Sequence, residues 1–85
     1  MSYFFYIVRC ADNSLYCGVT NNLEKRLKEH NSEGARGAKY VRARRPASIE
    51  YHENYSDKSS AMKREYEVKQ WTKERKESLV SNAKR

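Results

Sequence analysis

The chain has 85 residues, of which 38% are apolar and 34% charged, and it carries a formal net charge of +7. That length supports a single domain with a modest core, in which about 60–65% of the unfolded surface is buried. The apolar run FFYIV near the start is too short to cross a bilayer, so no membrane partner is expected.

Aromatic residues make up 12% of the chain, and its segments are periodic. Both features argue for a folded core despite a mean hydropathy of −1.11. The basic balance, with a pI near 9.6, favours a polyanionic partner, nucleic acid ahead of an anionic membrane surface. The plainer alternative is a basic soluble surface with no specific partner. Cys10 and Cys17 have neither CxxC nor metal-ligand spacing, so zinc is not expected. With no signal peptide in view, the expected setting is a reducing cytoplasm, where both thiols act as small apolar groups. A disulfide between them would need a strand register that sets them opposite each other.

Residues 3–9 (YFFYIVR) are aromatic and β-branched and predict a strand. ADNS at 11–14 is turn chemistry, and LYCGVT at 15–20 predicts the second strand of a hairpin. Gly18, inside that strand, marks a bulge or the close approach of another group. Thr20, Asn21 and Asn22 signal a helix start, and LEKRLKEHN follows with Leu23 and Leu27 on one face. Residues 31–37 form a loop, and 37–45 either a short helix or a structured basic loop, closed by Pro46. SIEYH at 48–52 predicts a third strand. Ser56 and Asp57 cap a helix over 58–72, and a last helix covers 73–82. The expected fold is α+β, a small three-stranded antiparallel sheet flanked by helices in the order β-β-α-β-α-α. One domain spans 1–82, with 83–85 frayed.

Several residues could carry chemistry. On a helical wheel Glu65 falls between Ala61 and Met62 in an apolar sector that also holds Val68, while Lys63 and Glu67 lie opposite. A carboxylate on a core-facing stripe is costly unless it is ion-paired or holds a cation. Arg26 and His30, four residues apart, share a helix face and suit phosphate binding and proton transfer, or else form an ordinary solvated face. Residues 36–45 hold Arg36, Lys39, Arg42, Arg44 and Arg45 with Tyr40 among them and no acid. Such a stretch suits a phosphate backbone and an exposed base, or else is a soluble charged loop. Tyr6 and Tyr16 lie mid-strand and would be distinctive only if both hydroxyls met one site.

In order, these residues resemble the GIY-YIG nuclease superfamily. Phe4-Phe5-Tyr6 stands where the family has Gly-Ile-Tyr, and Tyr16-Cys17-Gly18 where it has Tyr-Ile-Gly, with nine residues between the two tyrosines. The pattern continues through Gly18-Val19-Thr20, Arg26 and His30, then Gly37-Ala38-Lys39-Tyr40, and ends in Ala61-Met62-Lys63-Arg64-Glu65. Phe4 and Cys17 depart from the pattern, at positions that are not catalytic in the family. The likeness covers nearly the whole chain and is greatest to the small stand-alone bacterial members.

The resemblance implies that Tyr6, Tyr16, Arg26, His30 and Glu65 converge on one face of the sheet and hydrolyse phosphodiester bonds with one divalent metal. Glu65 would hold Mg²⁺ or Mn²⁺. Arg26 would clamp a phosphate oxygen, Tyr16 would position the water or Tyr6, and Tyr6 would lead as base with help from His30 or Lys39. The base stays open among Tyr6, Tyr16 and His30. Lys39, Tyr40, Arg42, Arg44 and Arg45 would bind nucleic acid, DNA ahead of RNA. The implied role is an endonuclease of repair or recombination. The alternatives are a catalytically weak or inactive nucleic-acid-binding module and an RNA-associated basic protein. A homodimer or an unknown protein partner would add contacts that the domain lacks.

Overall fold

The computed structural model describes residues 2–32 and 39–83. The elements run β1 (Tyr3–Arg9), β2 (Leu15–Thr20), α1 (Leu23–Asn31), α2 (Lys39–Arg42), β3 (Ser48–Tyr55), α3 (Lys58–Lys69) and α4 (Lys73–Ala83). The sheet is antiparallel in the order β2-β1-β3. The expected α+β architecture is present, and the basic stretch contributes the short helix α2. β3 runs three residues beyond the expected strand, and α3 stops at Lys69 rather than at 72.

β1 is the central strand, which explains its unbroken apolar run. Residues of a strand alternate between faces, so a strand covered on both sides must be apolar at every position. Phe5 and Ile7 pack on one face with Leu15, Cys17, Val68 of α3 and Val80 of α4. Tyr6, Val8 and Cys10 pack on the other with Val41 and Ala47, and Tyr16, Leu23 and Ile49 border them. The two cysteines therefore lie on opposite sides of the sheet, and both are free. A disulfide is excluded by the alternation itself.

The hairpin closes through Asp12, which accepts from the Ser14 backbone and hydroxyl, and Asn13, whose φ of 69° lies in the left-handed region that Asn tolerates. The β1–β3 register shifts between Ile7 and Val8, leaving Glu50 as the extra residue. Glu50 accepts from Arg9 Nε at 2.7 Å, while the other two Arg9 nitrogens bond Glu77 of α4 at 2.8 and 2.7 Å. One guanidinium thus ties the bulge to the last helix. A second polar knot lies on β3, where Glu53 accepts from Tyr51, Tyr55 and Arg64.

Candidate active site

The site is built on the α1 face of the sheet. Asn22 caps α1, its side chain accepting from Lys25 N at 3.1 Å. The helix then presents Leu23, Arg26, Leu27 and His30 at positions i, i+3, i+4 and i+7, one continuous stripe. Leu23 and Leu27 are only half-buried, whereas His30 has no exposed surface. The centre of the stripe is therefore the polar pair, with the leucines at its margin. The far end of α1 is pegged down by three bonds. The Asn31 amide donates to Ala47 O at 2.9 Å and accepts from Ala47 N at 2.7 Å. Arg45 Nε donates to the His30 carbonyl at 2.6 Å. These contacts fix where the His30 ring points.

His30 meets Tyr6. Tyr6 Oη lies 2.9 Å from His30 Nε2, and Arg26 Nε donates to the same oxygen at 3.3 Å. Tyr6 Oη accepts from Arg26, and the direction of its bond with His30 follows the tautomer of that ring, which burial keeps neutral. Burial, reinforced by the charges of Arg26 and Arg45 and opposed by Glu29, pulls the His30 pKa from 6.5 to about 4. Burial also pushes the Tyr6 phenol above its ordinary value of 10.0, while the Arg26 hydrogen bond and charge pull the other way. The charges of Tyr16 and Glu65 add to the rise, so both groups lie within electrostatic reach of the Tyr6 hydroxyl.

Gly18 is the device that admits Tyr6 to this position. It is the cross-strand partner of Tyr6. A Cβ on Gly18 would lie 2.3 Å from Tyr6 Oη and 2.5 Å from Cζ, so the glycine marks a close approach by a ring rather than a bulge. Tyr16, two residues earlier on the same strand face, sets its ring 5.9 Å from His30, edge to face, and stacks on Tyr40 at 5.8 Å.

Glu65 lies on α3, whose Val68 packs on the opposite face of the sheet from Tyr6, and its charge is within electrostatic reach of the Tyr6 hydroxyl. Ala61 and Val68 are the fully buried positions of that helix, Arg64 and Glu65 flank them half-buried, and Met62 is 49% exposed. The inward stripe is thus rotated away from Met62 relative to the wheel, because the narrow sheet covers only one side of α3. Glu65 sits at the rim, its side chain 22% exposed, with Lys69 Nζ 3.8 Å from Oε2. Lys69 Nζ also lies 6.0 Å from the Tyr16 ring centroid. Lys69 was not among the expected site residues, yet its i,i+4 spacing to Glu65 was a usable signal.

The basic segment divides. Arg36 lies outside the described residues. Arg44 bonds Asp12 at 3.0 Å and the Tyr40 carbonyl at 3.0 Å, and its guanidinium covers the Tyr40 ring at 3.8 Å. Arg44 and Arg45 therefore brace the fold around Tyr40 and His30. Lys39 and Tyr40 remain exposed, and Arg42 is half-buried with Nε making no hydrogen bond among the described residues.

Among the described residues no group of three or more His, Cys, Asp or Glu side chains could cage a metal. Among the described residues, Glu29, ion-paired to Arg26, and Glu65, within electrostatic reach of Tyr6, offer carboxylate oxygens near the phenols. That donor set suits a hard cation that keeps its waters and takes substrate oxygens, and does not suit a four-ligand protein cage. No helix among the described residues is long and apolar enough to cross a membrane.

Comparison with known proteins finds similar chains. A UPF0213 protein of Bacillus velezensis is 52% identical over 84 residues, covering 99% of this chain and 83% of its own length. A UPF0213 protein of Bacillus pumilus is 49% identical over 79 residues, covering 93% of this chain and 79% of its own length. The solution NMR structure of a UPF0213 protein from Bacillus halodurans superposes with a TM-score of 0.60 at 40% identity, over 95% of this chain and 84% of that one. Residues 2–78 match the GIY-YIG catalytic domain, and the chain belongs to that family.

Proposed function

We propose that this chain is a metal-dependent endonuclease that hydrolyses phosphodiester bonds in DNA. Membership of the GIY-YIG catalytic domain family implies nuclease-type chemistry on nucleic acid. The observation that carries the finer reading is the meeting of Tyr6 Oη with His30 Nε2 at 2.9 Å and Arg26 Nε at 3.3 Å, with Tyr6 and His30 both buried. Structural ion pairs do not need a phenol shared between an arginine and a neutral histidine.

The proposed proton path runs through this contact, with His30 Nε2 as the acceptor. Water attacks phosphorus and gives its proton to Tyr6 Oη as the Tyr6 proton passes to His30 Nε2. Arg26 Nε holds the Tyr6 oxygen while charge builds on it, and the Arg26 fork also reaches toward a phosphate oxygen. Tyr16 packs the His30 ring in place from the side. The leaving oxygen takes a proton from solvent. When bound at Glu65, Mg²⁺ or Mn²⁺ would neutralise charge on the phosphate. Lys39 and Arg42 supply phosphate contacts, which position a duplex without reading its sequence. Cutting directed by DNA structure, as repair or recombination uses, fits such contacts.

A second reading, a nucleic-acid-binding module with little turnover, is favoured by one fact: Glu65 is already paired with Lys69. One assay separates the two. Purified protein is incubated with labelled duplex, branched and single-stranded DNA and with RNA, in Mg²⁺, Mn²⁺ or chelator, beside Glu65→Gln. The nuclease reading expects metal-dependent products from wild type and at least a 100-fold loss in Glu65→Gln, on the order of a lost charge-stabilising group. Binding without products on every substrate would establish the binding module instead.

A further inference from the structure

We infer that Lys69 is a resident cation on Glu65, which a divalent metal must displace before it can bind. The inference rests on the reading that Glu65 holds the metal. It starts from geometry. Lys69 Nζ lies 3.8 Å from Glu65 Oε2, within ion-pair distance of the carboxylate expected to bind the metal. No cage of other acids, histidines or cysteines stands by to tip the balance, among the described residues. One ammonium and one divalent ion therefore compete for one carboxylate.

The neighbouring cations have different attachments. Arg64, next to Glu65 in sequence, bonds Glu53 at 3.0 and 3.1 Å and Glu67 at 2.8 Å. Lys76 on α4 acts, with Lys69 and Glu65, on the buried Cys17 thiol, so it shares this quarter of the molecule. Among the described residues, Lys69 alone is within ion-pair distance of Glu65.

Lys69 also has somewhere to go. Its side chain is 49% exposed, on a flexible four-carbon stem. The face of the Tyr16 ring lies 6.0 Å from its ammonium and is a second station for it. Displaced from Glu65, Lys69 moves toward Tyr16, where a substrate phosphate would also attract it. Metal and nucleic acid then favour each other's binding. Each draws apart the pair that blocks the other, and such coupling is reciprocal. In the free protein the pair is closed and metal affinity is low.

The test is a Mn²⁺ titration of the intact chain without nucleic acid, followed by electron paramagnetic resonance of the free ion. It compares wild type, Lys69→Met, Lys69→Arg, Lys76→Met and Glu65→Gln, with circular dichroism confirming the fold of each. Lys69→Met keeps the stem and removes the charge. It is expected to tighten Mn²⁺ binding about three- to tenfold, the size of a partly exposed charge interaction. Lys69→Arg is expected to stay near wild type, Lys76→Met to change binding less than Lys69→Met, and Glu65→Gln to lose the site. Unchanged or weaker binding in Lys69→Met, with Glu65→Gln still defective, overturns displacement and leaves Glu65 as ligand. Equal tightening in Lys76→Met overturns it in favour of a general field. Binding by Glu65→Gln equal to wild type overturns the metal reading of Glu65 itself, and the inference with it.

Discussion

Mild acid should destabilise this protein through His30. The ring has no exposed surface and its pKa is pulled from 6.5 to about 4, chiefly by burial. The unfolded chain therefore takes up a proton that the folded chain refuses. A folded-state pKa below the unfolded one means that the stability is fully present above about 6.5 and is lost as the pH falls toward 4. Between pH 7 and pH 5 the difference in proton uptake amounts to about 2 kcal/mol. For a domain of this size that lowers the melting temperature by about 10 °C. The carboxylate effects fall in a lower window. Arg9 holds Glu77 down from 4.5 to about 2, so its contribution is present above about 4.5 and lost only as the pH drops through about 2. The assay is thermal unfolding at pH 7, 6 and 5 for wild type and His30→Gln, whose neutral amide can still accept from Tyr6. Wild type should lose about 2 kcal/mol more than the variant over that range. Parallel curves would refute the claim that His30 is buried in its neutral form.

Further outcomes follow from particular contacts. Gly18→Ala sets a methyl against the Tyr6 ring, at 2.3 Å from Oη, so the ring must shift and its His30 bond break. The expected cost is about 1–3 kcal/mol, and a calorimetric melting temperature matching wild type would show that the ring moves freely. Glu53→Gln leaves two tyrosine hydroxyls and Arg64 facing an amide in place of a charge, and chemical denaturation should register about 1–3 kcal/mol of lost stability. Lys39→Ala should weaken binding to all duplex sequences alike and lower the salt slope by about 1, whereas an unchanged slope in fluorescence anisotropy would remove Lys39 from the phosphate contacts.

Much of the frame was legible in the chain. The hairpin followed from two β-rich runs around ADNS, and the start of α1 from Asn22, because these signals act within a few residues. The pairing of Arg26 with His30 on one face followed from helical spacing alone. Other features were hidden for physical reasons. The length of β3 was underestimated because Glu53 and Asn54 are poor strand formers, and pairing to β1 carries them. The rotation of α3 was misread at Met62, since a wheel ranks residues by polarity and a narrow sheet covers what it can reach.

By itself the sequence determined the local elements, the basic charge and the family-like order of Tyr6, Tyr16, Arg26, His30 and Glu65. These depend on propensity, capping and spacing, which operate along the chain. Tertiary structure decided which charges meet. It put Arg44 and Arg45 to bracing Tyr40 and His30, rather than leaving every cation of the segment exposed. It split the two cysteines across the sheet and laid Tyr6 over Gly18 within reach of His30. It also set Lys69 between Glu65 and Tyr16. Each outcome depends on the distance between side chains far apart in the chain, and that distance exists only once the sheet has formed and the helices have packed on its two faces.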